Sequence, residues 1–120
     1  MAIQIFGTAK NFDVKKAERW FSDRRISVQS IDLKEKGISA GELDNILFCL
    51  AKSCGSRKLA LEHLLDKNNR NYADIAWLSD EDKEEKLLEN PVLMKQPVVR
   101  NGKADATAGY CPDIWNNWTI

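Results

Sequence analysis

Sulfur and imidazole are scarce in this chain: it has three cysteines, Cys49, Cys54 and Cys111, and one histidine, His63, in 120 residues. Cys49 and Cys54 are separated by four residues, which is neither Cys-x-x-Cys redox spacing nor a zinc half-site. A tetrahedral metal site around His63 would have to borrow carboxylates, so no metal is expected. An odd number of thiols reads most simply as reduced, partly buried cysteines of a cytosolic protein. An excess of charge of one sign is missing too, because 18 Lys and Arg residues balance 18 Asp and Glu. With no net field to gather polyanions, neither direct nucleic-acid binding nor a membrane surface is expected. Long apolar runs are absent as well. Met1 to Phe6 is stopped by Gly7, too short for a signal-peptide core or a bilayer span, which predicts a cytoplasmic location.

What is present suffices for one core. A 43% hydrophobic share in a chain of this length predicts a single domain over residues 1–120. Ala2 to Phe6 reads as a buried strand. Asp13 is the candidate N-cap of a following helix, with Val14, Ala17 and Phe21 at helical spacing and Lys15, Lys16, Glu18 and Arg19 on the other face. Ile26 to Leu33 alternates as a second strand, completing a strand–helix–strand unit of the length a parallel crossover needs.

The middle of the chain, about 39–90, reads as helical. Ser39 and Glu42 have capping-box spacing before Leu43, Ile46, Leu47 and Leu50, and Gly55 ends that helix. Leu59, Leu61, Leu64 and Leu65 predict a second helix, and Tyr72, Ile75 and Ala76 a third. Ser79 with Asp82 opens a charged helix that Pro91 halts. Val98–Arg100, then Asn101-Gly102, then Ala104, Ala106 and Ala108 predict a hairpin with a type I′ turn. Pro112 suits the first position of a last helix carrying Ile114, Trp115 and Trp118. The sum is an α/β chain.

Several stretches of text carry a resemblance. Gly7-Thr8-Ala9-Lys10-Asn11-Phe12-Asp13-Val14-Lys15-Lys16-Ala17 is similar to the opening Gly-Thr-Lys-Lys-Cys-Asn-Asp-Thr-Lys-Lys-Ala of the arsenate reductase/Spx family. Ile31-Asp32-Leu33, Leu64-Leu65-Asp66-Lys67-Asn68, Glu89-Asn90-Pro91-Val92-Leu93, Gln96-Pro97-Val98-Val99 and Gly109-Tyr110-Cys111-Pro112 resemble later family segments, in order. The resemblance implies a thioredoxin-like fold with a small mixed four-stranded sheet and an all-helical insertion. It further implies a thiolate at the first strand-to-helix turn that attacks arsenate, arginines that hold the oxyanion, and glutathione or glutaredoxin as the resolving partner. Related members use that turn as a redox switch and bind RNA polymerase.

The resemblance also shows what has been replaced. Aligned without gaps, the nucleophile falls on Asn11; shifted by one residue, it falls on Phe12, and neither side chain carries sulfur. The family's arginines correspond to Asp66, Gln96 and Cys111. Losing three guanidinium positions together removes most of the charge that favours a doubly negative ligand. The former active-site loop is thus Lys10, Asn11, Phe12 and Asp13, and the resemblance makes Pro97 the candidate for the cis-proline of thioredoxin folds, the alternative being an ordinary trans proline that starts a strand.

Each of these residues has a plainer role beside the chemical one. Asn11 is either a ligand-binding amide or a local cap. Lys10, Lys15 and Arg100 are either a residual anion site at that loop or ordinary solvent-facing charges. Cys111, just before Pro112, is either a relocated redox thiol at a helix start or a bystander. Cys49 reads as core and His63 as a surface or boundary histidine. Trp20, Trp77 and Trp115 read as core, with Trp118 the candidate for a partner surface. The reading that follows is a cytoplasmic, catalytically degenerate relative kept as a binding or regulatory module, with a Cys111-dependent oxidoreductase as the alternative.

Overall fold

The computed structural model describes residues Ala2 to Trp118. Strands β1 (Ile3–Gly7), β2 (Val28–Asp32), β3 (Val98–Asn101) and β4 (Asp105–Ala108) form one sheet in the order β2-β1-β3-β4. β1 runs parallel to β2 and antiparallel to β3, and β3 is antiparallel to β4. Helix α1 (Phe12–Asp23) joins β1 to β2, and α5 (Pro112–Trp118) follows β4. Between β2 and β3 lie α2 (Ala40–Cys54), α3 (Arg57–Leu64), a short 3₁₀ turn over Arg70–Asp74, α4 (Asp80–Glu89) and a second 3₁₀ turn over Pro91–Leu93.

Both faces of the sheet are covered, which is why β1 is apolar on both sides. On one face Ile3, Ile5 and Val99 pack against Val14, Ala17, Trp20 and Phe21 of α1 and Trp115 of α5. Trp115 is fully buried, edge-on to Trp20 and Tyr110, and its indole N–H donates to Thr107 Oγ1 at 2.8 Å. On the other face Phe6, Ile31 and Val98 meet Ile46, Leu47 and Leu50 of α2, Leu61 and Leu64 of α3 and Leu87 of α4. Arg57 ties these helices at the surface through Asp44 and Glu84, each at 2.7 Å.

The helix signals fall where side-chain chemistry sets them. Ser39 and Glu42 form the reciprocal capping box, Gly55 ends α2 at φ 103°, and Ser79 accepts from the Asp82 N–H. Pro112 opens α5.

Four expectations are corrected. The N-cap of α1 is Asn11, not Asp13; Asp13 lies in the first helical turn, where its carboxylate favours the helix dipole. The segment around Tyr72 is a 3₁₀ turn with no buried residue rather than an α-helix. Asn101 is the last residue of β3, and only Gly102 in that turn has positive φ, at 55°, so the turn is not type I′, which needs two such residues. Trp77 is 78% exposed, outside the core, whereas Trp118 packs beside the first cluster and donates to Asp105 Oδ2 at 3.0 Å.

Candidate functional site

The turn between β1 and α1 is held against the start of β3 by the strand register. Phe6 pairs with Val98, so Thr8 emerges beside Gln96 and the cis Gln96–Pro97 bond. Two donors of Thr8, its backbone N–H and its hydroxyl, meet Gln96 Oε1 at 2.8 and 3.1 Å. The Asn11 N–H closes a tight turn onto the Thr8 carbonyl at 3.1 Å. Asn11 Oδ1 accepts from the Val14 N–H at 3.0 Å, filling the cap position with a neutral oxygen. The turn also sits unusually close to its own helix. A Cβ on Gly7 would overlap the Val14 side chain, so only glycine lets α1 begin this near the strand.

The remaining loop residues point outward. Lys10 and Asp13 are exposed, and Phe12 is 74% exposed. Lys16 lies over the rings of Phe12, at 5.9 Å, and Tyr110, at 4.3 Å. Beside the turn is a cavity of about 200 Å³ whose lining includes Gly7, Thr8, Val14, Lys15 and Glu18.

Two further segments reach the same end of the sheet. The Gly109 N–H donates to the Pro97 carbonyl at 2.8 Å, bringing Tyr110 and Cys111 beside the cis-proline. The end of α3 is pinned to the segment before β3, because the Lys95 N–H donates to Leu64 O at 2.7 Å and the Asp66 N–H to Leu93 O at 2.9 Å. A groove of about 370 Å³ opens there, lined by His63, Asp66, Lys67, Asn68 and Lys95 among others. Asp66 spends one carboxylate oxygen on the Asn68 N–H at 3.0 Å, so it organises its own turn.

Lys95 is the residue that sequence reasoning missed. Its side chain runs along Gly109, 3.4 Å from where a Cβ would stand, and its ammonium acts on two titrating groups. Burial lowers the His63 imidazole below its ordinary value, with Lys95 adding to the shift. Burial pushes the Cys111 thiol up, while Lys95 and the Thr107 hydroxyl oppose that rise. At Cys111 loss of solvent therefore outweighs the nearby cation. The thiol is half-buried and donates weakly to Ala108 O at 3.6 Å. The signal for Lys95 was its position directly before Gln96-Pro97.

Arg100 is not part of this end. It pairs with Gln4, three residues before Gly7 on β1, and is buried on the α2 side of the sheet. The suggested grouping of Lys10, Lys15 and Arg100 does not exist. Cys49 is buried, donating to Lys103 O at 3.4 Å, and Cys54 is half-buried. Among the described residues no cluster of three or more His, Cys, Asp or Glu is placed to hold a metal, and no helix is long and apolar enough to cross a membrane.

A mixed sheet with a helix after its first strand, a cis-proline opening the antiparallel strand beside it and helices on both faces is a thioredoxin-like α/β fold. More narrowly, the architecture is that of arsenate reductase-related proteins. The chain superimposes on an arsenate reductase from Vibrio cholerae with a TM-score of 0.76 at 18% identity, over 98% of this chain and 97% of that one. An arsenate reductase (ArsC) related protein from Brucella melitensis gives a TM-score of 0.69 at 22% identity, over 99% and 95%. At these identities the likeness is one of fold. No family model matches the sequence, and no curated protein matches it significantly.

Proposed function

We propose that this protein is a non-catalytic, cytoplasmic relative of the arsenate reductase/Spx family that keeps the thioredoxin-like scaffold as a binding or regulatory module. The observation that carries this reading is the chemistry of the β1–α1 turn. Where a nucleophile would need sulfur, Asn11 supplies an amide that caps the helix, and the Gln96 amide occupies the Thr8 N–H and hydroxyl. Three donors of this turn, the Thr8 N–H and hydroxyl and the Val14 N–H, are taken by neutral side-chain oxygens of the chain itself. Asp66 adds negative charge where the family has a guanidinium, which disfavours a doubly negative ligand.

The test is arsenate reduction with glutathione and glutaredoxin supplied. The expected result is no turnover above background, with Cys111→Ser indistinguishable from the parent. Turnover comparable to a cysteine-bearing relative would overturn the proposal.

A second reading gives thiol chemistry to Cys111, as an arsenate reductase-like oxidoreductase drawing on glutathione or glutaredoxin. What favours it is the Lys95 ammonium beside a free, half-buried thiol; what opposes it is the upward push of burial on that thiol. Alkylation with iodoacetamide across pH separates the two readings. A Cys111 midpoint above that of an ordinary thiol supports the bystander role, and a thiolate at neutral pH supports the redox one. A role at RNA polymerase rests on the family resemblance alone, and co-purification with the polymerase tests it.

A further inference from the structure

Arg100 has surroundings that the proposed function does not explain. It is 8% exposed in β3, and its Nε and Nη2 both donate to Gln4 Oε1, at 3.0 and 2.7 Å. Nη1 donates to Asn45 Oδ1 at 3.0 Å. The fork that so often grips a carboxylate therefore grips a neutral amide. Among the described residues Arg100 forms no ion pair with Asp or Glu. The face of Phe6 at 5.7 Å offers a quadrupole, not a counter-charge. A buried cation without a counter-ion is costly, and among the described residues two of the five guanidinium N–H bonds have no partner.

The unused donors have neighbours of the same kind. Gln4 Nε2 donates to Gln29 Oε1 at 3.0 Å, so a line of amides runs from Arg100 across β1 to the edge strand β2, leaving Gln29 Nε2 without a partner among the described residues. Beside this line lies a cavity of about 450 Å³ lined by Gln4, Ser27, Gln29, Arg100 and Lys103 among others, with no carboxylate in its wall among the described residues. Lys103 is exposed, and among the described residues its ammonium forms no ion pair. Two cationic residues, two glutamines and a serine line one space. The Gln4 end of β1 lies roughly 10 Å along the strand from the Gly7 end, so this space is separate from the β1–α1 turn.

We propose that this cavity binds a small oxyanion, a carboxylate or a phosphate, between Arg100 and Lys103. The anion supplies the counter-charge that the fold withholds from Arg100, and the Gln29 amide and Ser27 hydroxyl complete its shell. The test titrates the full chain with sodium phosphate and, separately, sodium acetate, each against sodium chloride at matched ionic strength. The readouts are the NMR signals of Arg100 Nε–H and of the Gln4 and Gln29 side-chain amides, with Tm alongside. Saturable shifts at millimolar oxyanion and a Tm raised over chloride are expected. Response to phosphate alone assigns a phosphate site, to acetate alone a carboxylate site, and to both a general oxyanion site. Lys103→Glu, on an exposed turn, is expected to weaken binding at least tenfold with an unchanged far-UV spectrum. No saturable response to either anion, an equal response to chloride, or an affinity unchanged in Lys103→Glu would overturn the proposal.

Discussion

Gly7→Ala is the sharpest probe of how the β1–α1 turn is built. The Gly7 backbone is not left-handed, so alanine meets no strain from φ there; the whole penalty is steric. The added methyl would overlap Val14 Cγ2, with Cγ1 and Cβ at 3.2 and 3.3 Å. Valine in a helix has one strongly favoured rotamer, and Val14 is 5% exposed in the first cluster, so moving it aside, even toward the neighbouring cavity, forces it off that rotamer. Overpacking of this kind costs about 2 kcal/mol. With an unfolding entropy of about 2.1 cal/mol/K per residue, that corresponds to a Tm lowered by about 8 °C for a chain of this size. Val14→Ala alone removes two buried methyls, roughly 2 kcal/mol, but opens the space that the methyl of Gly7→Ala needs. Urea unfolding of the four members of the cycle gives the answer. In the Val14→Ala background Gly7→Ala is expected to cost under about 0.5 kcal/mol, a coupling of more than about 1 kcal/mol. Equal costs in both backgrounds would refute the steric account.

Asn11→Ala removes the cap and is expected to lower stability by about 1 kcal/mol in urea melts, whereas Asn11→Asp keeps the acceptor, adds charge at a helix N-terminus and holds or raises the midpoint. Gln96→Ala leaves the Thr8 N–H and hydroxyl without their acceptor; a loss of about 1 kcal/mol and faster amide exchange at Thr8 are expected, and unchanged exchange would sink the idea that Gln96 closes the turn. His63 has a lowered folded value, so its contribution is present above its unfolded value near 6.5 and fades as pH falls through the folded one. Between about pH 7.5 and about pH 5.5 the wild type should therefore lose slightly more stability than His63→Gln, and identical losses would remove His63 from the account.

The parts legible in sequence were those decided locally. Ser39 with Glu42, Ser79 with Asp82, Gly55 and Pro112 act on groups within a few residues of themselves, so spacing alone located those helix ends. Asn11 and Asp13 are both good cap residues, and the choice between them is made by how close Gly7 lets the chain turn after β1. Arg100 could not be placed, because the strand register that sets it against Gln4 follows from a pairing ninety-six residues apart in sequence. The Gln96 contact with Thr8 is of the same kind, at a separation of eighty-eight. The absence of sulfur at the turn was legible outright; the occupant of its hydrogen-bonding groups was not.

The unequal placement of the tryptophans equips this protein with its own optical markers. Trp115 is sealed at 0% exposure with its N–H on Thr107, while Trp77 stands 78% in water. Indole emission reddens with hydration, so in the native spectrum the wet Trp77 adds to the buried Trp20 and Trp115 and the half-buried Trp118. Replacing Trp77 by phenylalanine would strip out most of the wet component, leaving a signal dominated by the interior beside α1 and α5 and able to report on its opening without a label.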